Sequence, residues 1–308
     1  MSSPDSGAPS ILCAGIIVLD EVFQVERFPE PDGKTQAHDF FMVSGGCAAN
    51  AAVAIARLGG RAALAGPLGG PRGDDPNGDR VLDALAREHV DCSACVRLAG
   101  IASPLSAIFI DATGERMIVT YRDRRIADAS PGDPARLVAS ADAMLADNRY
   151  PDFVRPILQA ARARGIPAVL DADRPTGLDE DLFGIASHVV LSGECLRATT
   201  RHDDLAEGLA AVAGVTQAFL AVTDGPRDIL WLDGGKLRRS PAFVVKAVDT
   251  LGAGDAFHGG FTLALAEGRD IAAALRFAAA TAAIKCTRIG GSAGAPTRAE
   301  VEALLATA

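Results

Sequence analysis

Short, largely apolar runs recurring between helical segments constrain this chain more than any other feature. Residues 141–145, 168–171, 188–191, 218–222 and 229–232 are such runs. Residues 152–164 read as a helix stopped by Gly165. An alanine-rich helix extends to residue 286, capped by Asp270 and preceded by Gly268. Strands that do not alternate suit a sheet covered on both faces. The repetition predicts an α/β fold with a doubly wound, mostly parallel sheet and right-handed crossovers. Residues 11–19 form another apolar run, expected as a buried parallel strand ending at Asp20. A carboxylate there lies on the ligand-binding edge of an open α/β sheet.

Two stretches break the rhythm. Residues 22–43 and 103–121 alternate apolar and polar positions around turns at 29–33 and 111–114, which predicts strand pairs with one solvated face. Between them, Gly45 and Gly46 lead into an alanine-rich helix over 51–58, stopped by Gly59 and Gly60. Residues 61–68 read as the next strand. The glycine-rich loop over 66–78 lacks the Lys-Ser/Thr of a nucleotide-phosphate loop.

Bulk properties exclude several functions. The net charge of −9 over 308 residues disfavours nucleic acid or an anionic membrane as partner. No stretch approaches the roughly 18 apolar residues of a membrane span. The first nine residues are polar and expected to be flexible. They lack the basic and apolar regions of a signal peptide, so a cytoplasmic chain is expected. Cys92 and Cys95 form a C-x-x-C, but no second ligand pair accompanies them, and the six cysteines read as reduced thiols.

The chemistry concentrates in residues 249–258, Asp-Thr-Leu-Gly-Ala-Gly-Asp-Ala-Phe-His. Residues 242–248 read as a strand delivering the chain to the turn Gly252, Ala253 and Gly254. From Asp255 the pattern is helical, with Phe257, Phe261 and Leu265 on one face. A glycine turn opening a helix offers free N–H groups and a positive dipole end to an anion. Asp255 is placed as a base beside that anion.

This string resembles the signature of the ribokinase (PfkB) family of sugar and nucleoside kinases, and Gly45-Gly46 with Asn50 resembles the family's second signature. The resemblance covers nearly the whole chain. It implies a large α/β domain (10–20, 45–101 and 126–308) that binds ATP and sugar. It also implies a small β lid (21–44 and 102–125) that pairs two subunits in a homodimer. Asp255 would be the base on the acceptor hydroxyl, and the amides of Gly252, Ala253 and Gly254 the anion hole for the γ-phosphate. Asp20, Gly45, Gly46 and Asn50 would meet the sugar. Ser192, Thr223, Gly225, Gly252, Gly254 and Ala283 would meet ATP, which binds with magnesium. Asp249, with the Leu251 backbone, is the place for a monovalent cation, potassium in several members. Ser192-Gly-Glu-Cys195 departs from the Asn-x-x-Glu of many members, as in ketohexokinase-like ones.

Within the family, residues 18–20, 28–34 and 283–288 look like ketohexokinases and bacterial sulfofructose kinases. Lys34 and Arg149 match positions that contact a sulfonate there, and Thr120 stands where that group has Asn. The favoured expectation is transfer of the ATP γ-phosphoryl to O1 of 6-deoxy-6-sulfofructose. A neutral ketohexose or a nucleoside is the alternative acceptor. Arg122, Arg124 and Arg125 form the densest basic cluster, with no assigned role. Outside kinase chemistry, a silent sugar-binding regulator stays open. A Rossmann dehydrogenase is disfavoured, because no Gly-x-Gly-x-x-Gly follows the first strand.

Overall fold

The computed structural model describes residues 7–307, so most of the N-terminal segment expected to be flexible (1–6) lies outside the described residues. In chain order the first strands are β1 (Ser10–Ala14), β2 (Val18–Gln24) and β3 (Asp39–Gly45), followed by helix α1 (Cys47–Arg57). Then come β4 (Arg61–Ala65), β5 (Pro67–Gly70), α2 (Pro76–Arg87), β6 (Val96–Ala99), β7 (Leu105–Ile110) and β8 (Arg116–Tyr121). The alternating part comprises α3 (Pro134–Leu137), β9 (Ala143–Asp147), α4 (Pro151–Arg164), β10 (Ala168–Ala172), α5 (Leu182–Ile185), β11 (His188–Ser192) and α6 (Gly193–Thr200). It continues through α7 (Leu205–Ala213), β12 (Phe219–Thr223), β13 (Ile229–Asp233) and β14 (Lys236–Ser240). Helices α8 (Ala253–Ala266), α9 (Ile271–Cys286) and α10 (Arg298–Thr307) complete the described chain.

The main sheet has the order β14-β13-β12-β11-β10-β9-β1-β4. Six strands, β4 to β12 in that order, are parallel, and β13 and β14 add an antiparallel edge. Successive side chains point to opposite faces of a strand, so β1 feeds two cores. Ile11 and Cys13 pack with α1, α8 and α9, while Leu12 and Ala14 pack on the side of α4. Strand order reverses at β1, between β4 and β9. In open α/β sheets such a switch point opens the ligand crevice at the carboxyl ends of the strands.

A second sheet, β3-β2-β7-β8, stands apart from the first. Here the expectation for residues 11–19 needs correcting. The apolar run is two strands in two sheets, broken after Ala14, and Asp20 lies within β2 of the small sheet rather than at the end of β1. Strand β2 begins at Val18 and β3 runs to Gly45, so the small sheet claims residues on both sides of 21–44. Residues 61–68 are likewise split, between β4 and the short pair β5-β6.

The strand expected over 242–248 is also absent. Beyond β14, the edge strand of the main sheet, the segment 242–248 pairs with no strand among the described residues. It runs instead as an irregular stretch with Val244 exposed, tied down where the Val248 N–H donates to the Cys286 carbonyl at 2.7 Å.

Candidate active site

The crevice is built from the ends of β1 and β9, the start of α1, the turn before α8 and one face of the small sheet. Gly252 opens α8 at φ 75°, a left-handed conformation that glycine adopts without steric cost. The N–H groups of Gly252 and Gly254 have no partner among the described residues. They stand at the positive end of a 14-residue helix, an arrangement that favours a bound anion. Asp255 sits one turn position further in. It does not cap the helix; its Oδ2 instead accepts a 2.7 Å bond from Asn50 Nδ2. This contact joins the two sequence signatures, 205 residues apart.

Burial pushes the Asp255 carboxyl up to about 7, and the nearby Asp173 and Asp147 add to the rise while Asn50 opposes it. A base poised near neutrality is what proton removal from a hydroxyl in the transition state requires. Asp147, Asp171 and Asp173 supply this negative surrounding, and the sequence reading assigned them no role. Their signal was present: each follows an apolar strand, the rule applied to Asp20. Asp147 Oδ2 accepts the N–H groups of Ile16 (2.8 Å) and Ala48 (3.2 Å), holding α1 against the break after β1. Asp171 is buried, 3.4 Å from His258 Nε2, and burial with the neighbouring Asp173 and Asp255 carries it well above the usual carboxylate range.

The small sheet contributes Asp20, which is 6% exposed. A Cβ on Gly45 would overlap its carboxylate, so glycine there is what lets Asp20 occupy the crevice. Burial raises the Asp20 carboxyl to about 6, opposed by a hydrogen bond from Ser106. Asp20 pairs in register with Ser106, and Ser106 with Thr120, so the three share one sheet face.

The expected sulfonate contacts are distributed differently. Lys34 lies exposed in the connection between β2 and β3. Arg149 is not a free cation, because its guanidinium forms a two-pronged pair with Asp173, with Nε to Oδ1 at 3.0 Å. Arg122 differs from both. Its Nε is buried without a hydrogen-bond partner, as is the hydroxyl of Tyr150, on which the charge of Arg122 acts.

On the other side of the Gly252 turn is a cavity of about 490 Å³, lined by Thr223, Gly225, Phe243, Gly254, Ala283 and other residues. It gathers most of the positions expected at ATP, and the irregular segment 242–247 forms one of its walls. Gly252 lies just outside this lining, and so does Ser192, whose hydroxyl caps α6 by accepting the Cys195 N–H at 3.1 Å. Nearby Asp224 is tied by Arg197 and Arg227.

The sequence matches the model of the pfkB family carbohydrate kinases over residues 8–298. It is 29% identical to ribokinase of Bacillus subtilis over 96% of this chain and 99% of the relative. It is 30% identical to fructokinase of Klebsiella pneumoniae, over 79% and 81% of the two chains. A solved structure from Agrobacterium tumefaciens, assigned as a ribokinase, superposes with a TM-score of 0.93 at 38% identity, covering 98% of both chains. The chain belongs to the pfkB family of carbohydrate kinases and is a phosphotransferase with an alcohol group as acceptor.

Proposed function

We propose that this protein transfers the γ-phosphoryl of ATP to the primary hydroxyl of a small, neutral sugar, a ketose above all. The observation that carries the reading is the juxtaposition of Asp255 with the helix N-terminus at the Gly252 turn, where the Gly252 and Gly254 N–H groups have no partner among the described residues. The base and the anion hole face one crevice, with Asp20 and Asn50 as partners for sugar hydroxyls. Phosphoryl transfer needs positioning and charge stabilisation more than covalent chemistry. The amides of Gly252 and Gly254 would meet charge on the transferring group, while Asp255 takes the hydroxyl proton as the O–P bond forms. When bound, magnesium supplies charge neutralisation at the phosphates. Closure of the small sheet as a lid would keep water from the phosphoryl group.

The acid-rich crevice supports a neutral acceptor. Five carboxylates (Asp20, Asp147, Asp171, Asp173 and Asp255) stand around it, and Arg149 is already neutralised by Asp173. Arg122, beside the unpartnered Tyr150 hydroxyl, favours a second reading in which the far end of the sugar carries an anion such as a sulfonate. Comparing fructose with 6-deoxy-6-sulfofructose decides between them. The neutral reading expects kcat/KM to be higher for fructose and little changed by Arg122→Ala. A preference for the sulfosugar that Arg122→Ala or Lys34→Ala removes would establish the second.

The outer face of the small sheet exposes Phe40, Met42, Met117, Val119 and Tyr121. An apolar patch of this kind marks an interaction surface, and a homodimer paired through it is part of the proposal. Sedimentation should give a dimer for the wild type and a monomer for Val119→Glu; a wild-type monomer at micromolar concentration would contradict the pairing. A cytoplasmic site of action is proposed as well, supported by six free thiols and by the absence, among the described residues, of a helix long and apolar enough to span a membrane.

A further inference from the structure

Lys285 lies in the last turn of α9 and is 0% exposed. An ammonium so buried is costly unless paired and fully hydrogen-bonded. Three acceptors meet it: the Asp249 carbonyl at 2.9 Å, Asp249 Oδ2 at 3.1 Å and the Arg288 carbonyl at 3.5 Å. The same carboxylate accepts the N–H groups of Leu251 at 2.8 Å, Gly290 at 3.0 Å and Gly291 at 3.3 Å. One ion pair thus ties together the end of α9, the 288–291 loop and residues 249–251. Those last residues run directly into the Gly252 turn.

The resemblance placed a monovalent cation at Asp249 and Leu251. The residues present do not fit it. Both oxygens of the carboxylate that such an ion would take are already engaged, Oδ2 by the Lys285 ammonium and Oδ1 by the Leu251 N–H, and the same ammonium takes the Asp249 carbonyl, so a resident positive charge already stands where the ion would sit.

We propose that Lys285 is a resident cation that positions the phosphate-binding turn, so that the enzyme works without an added monovalent ion. Lys285 touches neither the sugar crevice nor the reacting atoms; it acts through Asp249 on the placement of the Gly252 and Gly254 amides. Misplacement of such groups by a fraction of an ångström to an ångström costs about 10- to 100-fold in rate.

The proposal rests on the kinase reading, and its test has one arm that does not. In the first arm, sugar-dependent ADP release is compared in potassium-free buffer and with saturating potassium chloride. The wild type should change by less than about two-fold, whereas Lys285→Met should lose about 10- to 100-fold in kcat with the sugar KM retained. Potassium or ammonium should restore part of that loss. The second arm is thermal unfolding. Potassium should raise the melting temperature of Lys285→Met and leave that of the wild type unchanged. A wild-type activity that collapses without potassium would overturn the proposal. So would a Lys285→Met enzyme with unaltered kcat and a merely lower melting temperature, since that pattern marks a structural ion pair. Should Lys285→Met not fold, the potassium response of the wild type still decides. No sugar-dependent ADP release under any condition would instead sink the kinase reading, leaving the thermal arm to judge Lys285.

Discussion

Replacing Asp255 by Asn should lower kcat by about 100- to 10,000-fold, the range over which a positioned base contributes, while calorimetric ATP binding stays near the wild-type value. The substitution preserves volume and a partner for Asn50 Nδ2, so the crevice keeps its shape. Asp255 is effective only as the carboxylate, and its carboxyl is raised to about 7. The kcat/KM profile should therefore fall on the acid side of about pH 7. Asp173→Asn should move that limb to lower pH, because it removes a negative neighbour and frees the Arg149 guanidinium. Stability gives a control with the opposite sense. A carboxyl raised above its ordinary 3.8 binds its proton more tightly in the native state, so its contribution declines as pH rises from about 4 to about 7. Asp255→Asn should consequently melt no lower than the wild type at pH 8. A large loss of stability or of ATP affinity would make Asp255 structural.

The second large effect is expected at Asp20. Hydrogen bonds to a charged group contribute about 1.5–3 kcal/mol, so Asp20→Ala should raise the sugar KM roughly 10- to 100-fold and leave the ATP KM alone. Gly45→Ala should do the same, because its methyl group would displace the Asp20 carboxylate. If Gly45 acts through Asp20, the double variant is no worse than Asp20→Ala, a non-additivity that kinetics can measure. Additive losses, or equal losses for sugar and ATP, would mean that Gly45 does not act through Asp20.

Features set by local chemistry were legible in the sequence. Gly165 ends α4 in the left-handed conformation and Asp270 caps α9 through the Ala273 N–H, both as their residue types dictate. The Gly252 turn and Asp255 were legible because a glycine turn opening a helix has a local pattern, whereas Asn50 was named only through the family resemblance. Features set by distant partners were not. An apolar run has the same pattern whether it stays in one sheet or crosses to another, so the break after Ala14 was hidden. Residues 242–248 have strand-like side chains, yet Phe243, Val245 and Ala247 use them to line the cavity beside the turn. Arg149 reads as a free cation until Asp173, 24 residues on, is folded against it. Lys285 reads as an ordinary basic residue ending a helix. Only the approach of Asp249, 36 residues earlier, turns it into a buried ammonium.

The most direct test of the account is ADP release from magnesium-ATP by the wild type and Asp255→Asn, each with fructose, ribose, 6-deoxy-6-sulfofructose or no sugar. Release by the wild type that depends on one of these sugars, and that Asp255→Asn lacks, is the predicted result. A wild type that binds sugar without releasing ADP, or an Asp255→Asn variant of equal activity, would contradict it.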